Sequence, residues 1–293
     1  MRSILIFVFT LSNVVMTAAQ DSNRVNYSQL GISFLIPDQW QGQETNGGVL
    51  LQSPTIPGII LIATHRESLD QIRSQANQIL QDEQGTFLNP FGDLEELSPT
   101  MLARNFEGQL EGNPAKTYLI SMVNPTGGLG LTILVASQPG QFSEDLKNTG
   151  IALAHSVQFT KVDRSAEFEE WKNFLSGWRL TYMHSYDSPG QNQGNNYGGI
   201  SSERRIDLCP NMNFRYYGKS KVILDGLSPS FKETRGEGTW DIVLGADGTP
   251  HLEMIYTTGE VWEYKLEYVG DKLLLNGERY FRTNSGNDAP QCY

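Results

Sequence analysis

Histidines, cysteines and closely spaced carboxylates are the residue types that could do chemistry in this chain. The four histidines, His65, His155, His184 and His251, lie far apart. A zinc site needs ligands at short, fixed spacing, and the sequence holds neither an H-E-x-x-H pair nor a C-x-x-C pair. It also lacks a Gly-x-Ser-x-Gly turn to expose a serine nucleophile, and the Ser-x-x-Lys signature. Glu260, Glu263 and Glu267 are close enough for acid–base work, but strand alternation turns Glu263 and Glu267 outward, where solvation is their role. We therefore assign no catalytic residue, no metal ligand and no cofactor, and read each histidine as a surface or packing residue. A triad dispersed along the chain leaves no local signature. His184 and His251 are the residues to inspect for one.

The two cysteines, Cys209 and Cys292, read through the compartment. Arg2, the apolar run from Ile4 to Met16 and the small residues Thr17-Ala18-Ala19 predict a cleaved secretory signal over residues 1–19. The run is too short to span a bilayer, and no later stretch reads as a membrane span, so no membrane insertion is expected after cleavage. An extracytoplasmic protein, periplasmic or secreted, meets oxidants, and a single cysteine pair there predicts a disulfide; a buried free cysteine and an exposed thiol are the alternatives. The long closed loop would contribute about 4 kcal/mol in the chain-entropy model. The net charge of −11 repels phosphate backbones and anionic lipid surfaces, which argues against nucleic acid and peripheral membrane partners.

Aromatic residues are the stronger lead. From Gly238 to Arg282, five strand-like runs are parted by turns at Asp247-Gly248, Thr258-Gly259, Gly270-Asp271 and Asn276-Gly277. Trp262, Tyr264, Leu266 and Tyr268 fall on one face, and Glu263, Lys265 and Glu267 on the other. That period of two is an antiparallel meander with an aromatic inner face. Trp240, Tyr256, Trp262, Tyr264 and Tyr268 are the candidate ligand-binding residues, able to line a barrel interior around a small apolar molecule. The competing reading is that they simply fill the barrel.

The elements that must position them come earlier. Residues 164–176 predict a short helix with Phe168, Trp171, Phe174 and Leu175 on one side, stopped by Gly177. Trp178, Leu180 and Tyr182 alternate along a first strand, a polar loop runs from Asp187 to Gly199, and Ile206–Cys209, Asn213–Tyr217 and Lys221–Leu224 are further strands. About eight strands with no long helix between them are best closed into a barrel, which removes their edges.

Residues 25–160 mix strands and helices. Gly31 to Pro37, Val49–Gln52 and Ile59–Thr64 read as strands, and Arg66–Glu83 as a helix built on Leu69, Ile72, Ala76, Ile79 and Leu80. Ala103–Leu110, Ala115–Val123 and Leu129–Ser137 form an antiparallel set, followed by a helix over Phe142–His155 and a strand over Ser156–Thr160. Gly127-Gly128-Leu129-Gly130 lacks the Lys-Ser/Thr ending of a phosphate loop and reads as a turn.

Tyr27 ahead of Gly-Ile-Ser-Phe, an apolar strand ending in Pro37, then Trp40, and the closing Ser-Val-Gln-Phe strand resemble PsbP-like and DcrB-like domains. That resemblance implies an antiparallel sheet between helices, export, and binding of protein partners, with no catalytic residue to carry over. The second half resembles lipocalin-like barrels through its leading helical turn, Gly177-Trp178, the long first loop and the C-terminal cysteine. In that family an arginine of the last strand stacks on the first-strand tryptophan, which implies Arg279 or Arg282 over Trp178 as structural residues. The usual Gly-x-Trp lacks its spacer here, and no helix follows the last strand.

The organisation expected is thus a signal over 1–19, a PsbP/DcrB-like α+β domain over 25–160, a linker and short helix over 161–177, and an all-β, lipocalin-like, up-and-down barrel over 178–293. The function expected is an exported, non-enzymatic binding or assembly protein, with a small apolar ligand in the barrel and a protein partner on the first domain. The alternatives are an extracytoplasmic hydrolase or isomerase with its site at the barrel mouth, and a structural protein with a filled barrel.

Overall fold

The computed structural model describes residues 23–45, 47–188, 198–223 and 230–292. The expected signal over 1–19 lies outside them. The chain divides into two compact units between Val162 and Asp163.

The first unit runs β1 (Arg24–Tyr27), β2 (Ile32–Leu35), β3 (Gln41–Thr45), β4 (Gly48–Gln52), β5 (Ile59–His65), α1 (Leu69–Gln75), β6 (Leu80–Gln81), β7 (Phe87–Ser98), β8 (Met101–Leu110), β9 (Asn113–Met122), β10 (Gly130–Ser137), α2 (Glu144–Ser156) and β11 (Gln158–Phe159). An eight-stranded curled sheet of order β3-β4-β5-β10-β9-β8-β7-β6 is accompanied by a small sheet, β1-β2-β11. Leu51, Ile60, Phe106, Tyr118, Ile120, Ile133 and Val135 are almost completely buried and form its core. The helix α2 presents Leu146, Leu153 and Ala154 to that core, starting at the Ser143 side chain, which accepts the Leu146 N–H. Lys147 of α2 and the Tyr118 hydroxyl of β9 both donate to Glu95 of β7, tying helix to sheet.

Three sequence expectations change here. The helix expected over Arg66–Glu83 is only Leu69–Gln75. Its start is fixed by a reciprocal Ser68–Gln71 capping box, and beyond its end Leu80 and Gln81 pair with Leu88 and Phe87. Leu80 thus serves a sheet and not the helical stripe. The twelve-residue β7 was unforeseen, because register shifts between Phe91 and Glu95 and between Glu96 and Ser98 break the alternation that marks a strand. The strand β3, QGQET, has no apolar residue to betray it.

The second unit opens with α3 (Ser165–Leu175) and continues as β12 (Trp178–Ser188), β13 (Gly198–Leu208), β14 (Asn213–Ile223), β15 (Ser230–Leu244), β16 (Pro250–Tyr256), β17 (Val261–Val269), β18 (Lys272–Leu275) and β19 (Glu278–Thr283). These eight strands form a closed, antiparallel, up-and-down barrel in which β19 pairs back onto β12. The five meander runs are the end of β15 and the whole of β16 to β19. Two boundaries move. Asn213–Tyr217 and Lys221–Leu224 are parts of one strand that runs through Gly218 to Ile223, with Leu224 outside the described residues. The ends of the expected Asp187–Gly199 loop are strand, and residues 189–197 lie outside the description.

Gly177, at a φ of +79°, ends α3 and turns the chain into β12. Phe168, Trp171 and Phe174 of α3 pack with Trp178 against the barrel core, which includes Leu175, Leu208, Phe214, Trp240, Leu252, Met254, Leu266 and Leu275. One end of the barrel is thereby plugged with apolar side chains.

Candidate functional site

Strand register decides which side chains share the barrel interior. Leu180 faces Ile206, Ile206 faces Tyr216 and Tyr216 faces Gly236 across β12 to β15. Two residues further toward the opposite end come Tyr182, Arg204, Gly218 and Thr234, and then His184, Ser202, Ser220 and Lys232. Since alternate residues share a face, all of these belong to the inner wall. Leu180 and Ile206 are buried, whereas His184, Lys232 and Thr234 are exposed on an extension of β12 to β15 past the closed part, where the β12–β19 ladder has ended at Thr181 and the β15–β16 ladder has not yet begun at Gly238.

Beyond the apolar plug, phenols pack beside an ion pair. Arg204 donates from Nη2 to Glu278 Oε1 at 2.8 Å, and its Nη1 is 2.8 Å from Oε2. Its guanidinium lies 4.3 Å from the centre of the Tyr182 ring, which in turn packs on Tyr280 at 5.5 Å. Tyr256 contacts Phe214 and Trp262, each at 4.9 Å, and Tyr216 contacts Trp262 at 5.1 Å. Gly236 makes room for this arrangement, since a Cβ there would sit 2.3 Å from Cε1 of Tyr256.

Burial pushes the hydroxyls of Tyr256 and Tyr264 well above the usual phenol range and that of Tyr280 up to about 12, with Arg204 pulling Tyr264 and Tyr280 the other way. Tyr216, Tyr264 and Tyr280 all lie within electrostatic reach of Arg204. At neutral pH they are protonated and able to donate. The hydroxyls of Tyr256 and Tyr280 are buried without a hydrogen-bond partner among the described residues, in residues only 8% and 2% exposed.

Of the five candidate ligand residues, Tyr256 and Trp262 flank this cluster and Tyr264 is part of it. Trp240 lies deeper, its Nε1 donating to the Cys209 carbonyl at 3.1 Å. Tyr268 has inward parity but sits at the plugged end, half-exposed, with its ring 5.2 Å from Phe174. At that end Arg282 lies over Phe174 at 3.5 Å and over Trp178 at 4.3 Å, and donates from Nη1 to the Phe174 carbonyl. Arg279 has the opposite parity and lies over Phe281. Arg204, Tyr216, Glu278 and Tyr280 were missed. The period of two places Arg204 on the face of Ile206 and Leu208, and Tyr280 on that of Arg282; that they meet depends on barrel closure, which no local pattern encodes.

The Cys209–Cys292 disulfide is present, with Cα atoms 5.5 Å apart. The C-terminal segment it holds brings the Gln291 N–H to Asp207 Oδ2 at 2.8 Å, beside a buried pair in which Arg179 donates to both Asp207 oxygens at 2.6 and 2.8 Å.

His251 faces outward and its Nδ1 stands 3.7 Å from Glu263. His184 is exposed on the inner wall, and His155 lies in the last turn of α2. The close histidine–carboxylate contact is in the first unit, where His65 Nδ1 is 3.0 Å from Glu67 Oε2 and Nε2 is 3.1 Å from the Met122 carbonyl. That hydrogen bond to His65 holds the Glu67 carboxyl below the usual range. Glu67 borders a cleft of about 340 Å³ with Arg66, Ser68, Gln71 and Asn124. Among the described residues, no group of three or more His, Cys, Asp or Glu is placed to hold a metal ion, and no helix is long and apolar enough to cross a membrane.

No family model matches this sequence, and no curated protein matches it. Among solved structures, a crystal structure at 1.50 Å of a protein from Bacteroides thetaiotaomicron VPI-5482 aligns with a TM-score of 0.30 and 12% identity. The alignment covers 59% of this chain and 55% of that one, so the chain spans about half of that protein. A likeness of this degree carries no argument about function.

Proposed function

We propose that the chain is an extracytoplasmic, non-enzymatic binding protein whose barrel takes a small molecule. The observation that carries this reading is the pair of buried hydroxyls on Tyr256 and Tyr280 that find no acceptor among the described residues. Leaving a buried polar group unsatisfied costs about 1–3 kcal/mol. Phenylalanine would fill the same space without that cost, so a hydroxyl kept there is a group waiting for a partner. The ligand is small and mostly apolar, as the aromatic wall of Tyr182, Tyr216, Tyr256 and Trp262 suits. It carries at least one acceptor to meet the phenols. The disulfide and the apolar N-terminal stretch support export. The first unit has the antiparallel sheet and packed helix that the PsbP-like resemblance implies, and a protein partner for that unit goes with that reading.

The test is a pair of conservative variants. Tyr256→Phe and Tyr280→Phe should each leave the ligand-free protein as stable as wild type or up to about 2 kcal/mol more stable, and should weaken retention of the co-purifying molecule. A loss of more than about 1 kcal/mol in ligand-free protein would mean that the hydroxyls serve the fold, and would favour the filled barrel.

A further inference from the structure

Building on the reading of the barrel as a binding site, we infer that its ligand is a small carboxylate with an apolar body, whose head group docks against Arg204 and Tyr280. Three observations support this. The first is charge. The described inner-wall positions hold Arg204, Lys232 and Arg282 but a single acid, Glu278, a formal balance of +2 inside a chain of net charge −11. An anion entering through the exposed His184 and Lys232 level moves toward unlike charge, while a cation meets repulsion.

The second is the geometry of Arg204. A guanidinium has two edges that can each grip a carboxylate. Glu278 takes the edge formed by Nη1 and Nη2. The edge formed by Nε and Nη carries no hydrogen bond to a described residue, and stacking on Tyr182 keeps the group in place. Glu278 thus orients the arginine without using up its donors. The third is a phenol. Tyr280 offers a buried donor with no acceptor among the described residues and packs on Tyr182, the ring on which Arg204 is stacked, and a carboxylate has lone pairs for its hydroxyl as well as for Arg204. The rest of the ligand is apolar, to match the aromatic side chains of the inner wall.

The test uses three probes of one shape, 2-naphthoate, 2-naphthalenemethanol and 2-naphthylmethylammonium, titrated into the disulfide-bonded protein by calorimetry. The naphthoate should bind about ten- to a hundredfold tighter than the alcohol, the range of a charge-assisted hydrogen bond, and the ammonium weakest. Tyr280→Phe should reduce the preference for naphthoate over the alcohol. Lys232→Gln, at an exposed position outside the packed cluster, should weaken naphthoate and leave the alcohol unchanged. Added salt should narrow the gap. If the alcohol binds as tightly as the naphthoate or tighter, the carboxylate assignment falls and the binding barrel stands. If none of the three binds, both fall.

Discussion

Replacing Asp207 by alanine isolates the strongest single electrostatic device in the barrel wall. Arg179 and Asp207 meet through two hydrogen bonds of 2.6 and 2.8 Å, and their side chains are 7% and 6% exposed. The carboxylate raises the Arg179 pKa through those bonds and also accepts the Gln291 N–H. Removing one member leaves a buried, uncompensated charge, which costs about 3–5 kcal/mol, against about 0–1 kcal/mol for an exposed pair. With a urea dependence of about 2 kcal/mol per molar, Asp207→Ala should lower the barrel's unfolding midpoint by about 2 M. Arg179→Met should cost a similar amount. The double variant Arg179→Met/Asp207→Leu should recover most of the loss, since replacing both partners with apolar groups leaves no orphan charge. The assay is urea unfolding of the oxidised protein, followed by circular dichroism. A midpoint for Asp207→Ala within about 0.5 M of wild type would refute the reasoning, because the pair would then behave as a surface contact. In the wild type, reducing Cys209–Cys292, which spans 83 positions, should lower stability by up to about 4 kcal/mol and free the segment holding Gln291.

Two further outcomes follow from packing and titration. Tyr280 is raised from 10.0 to about 12, and Tyr27, Tyr118, Tyr256 and Tyr264 are raised further, mainly by burial. The folded state therefore holds phenol protons that the unfolded chain releases near pH 10, so the stability tied to them is complete below pH 10 and falls as pH rises above it. Spectrophotometric titration should show the buried tyrosinates appearing together with base unfolding, and a smooth titration of all the tyrosines near pH 10 in folded protein would contradict their burial. Gly130→Ala would place a Cβ 2.4 Å from the His65 ring and 2.6 Å from the Met122 carbonyl. It should cost about 1–3 kcal/mol in thermal or urea unfolding.

Legibility in the sequence followed burial on one face. The strands β16 to β19 alternate because one side meets the core, and Tyr264 and Leu266 are buried while Glu263 is exposed, as the period of two requires. The start of β15, Ser-Phe-Lys-Glu-Thr-Arg, gave no such signal because its residues are exposed on both faces beyond the reach of β16. In β7, Pro90, Gly92 and the bulge erased the pattern. The split between Arg279 and Arg282 was decidable, since only Arg282 shares the parity of Tyr280. The meeting of Arg204 with Glu278, 74 positions apart, was not, because it depends on β19 closing against β12. For the same reason the candidate site was half legible. Tyr256, Trp262 and Tyr264 came from local alternation, whereas Arg204, Tyr216 and Tyr280 needed the closed barrel.

Native mass spectrometry of the disulfide-bonded protein, purified without detergent from its own host, tests the binding barrel most directly. The account predicts a reproducible extra mass that leaves on denaturation, is lost from the Tyr256→Phe/Tyr280→Phe double variant, and sits on a polypeptide about two daltons below its reduced mass because of the Cys209–Cys292 bond. A bare polypeptide from wild type, with the double variant less stable than wild type, would contradict it and leave a filled barrel that acts through its outer surfaces.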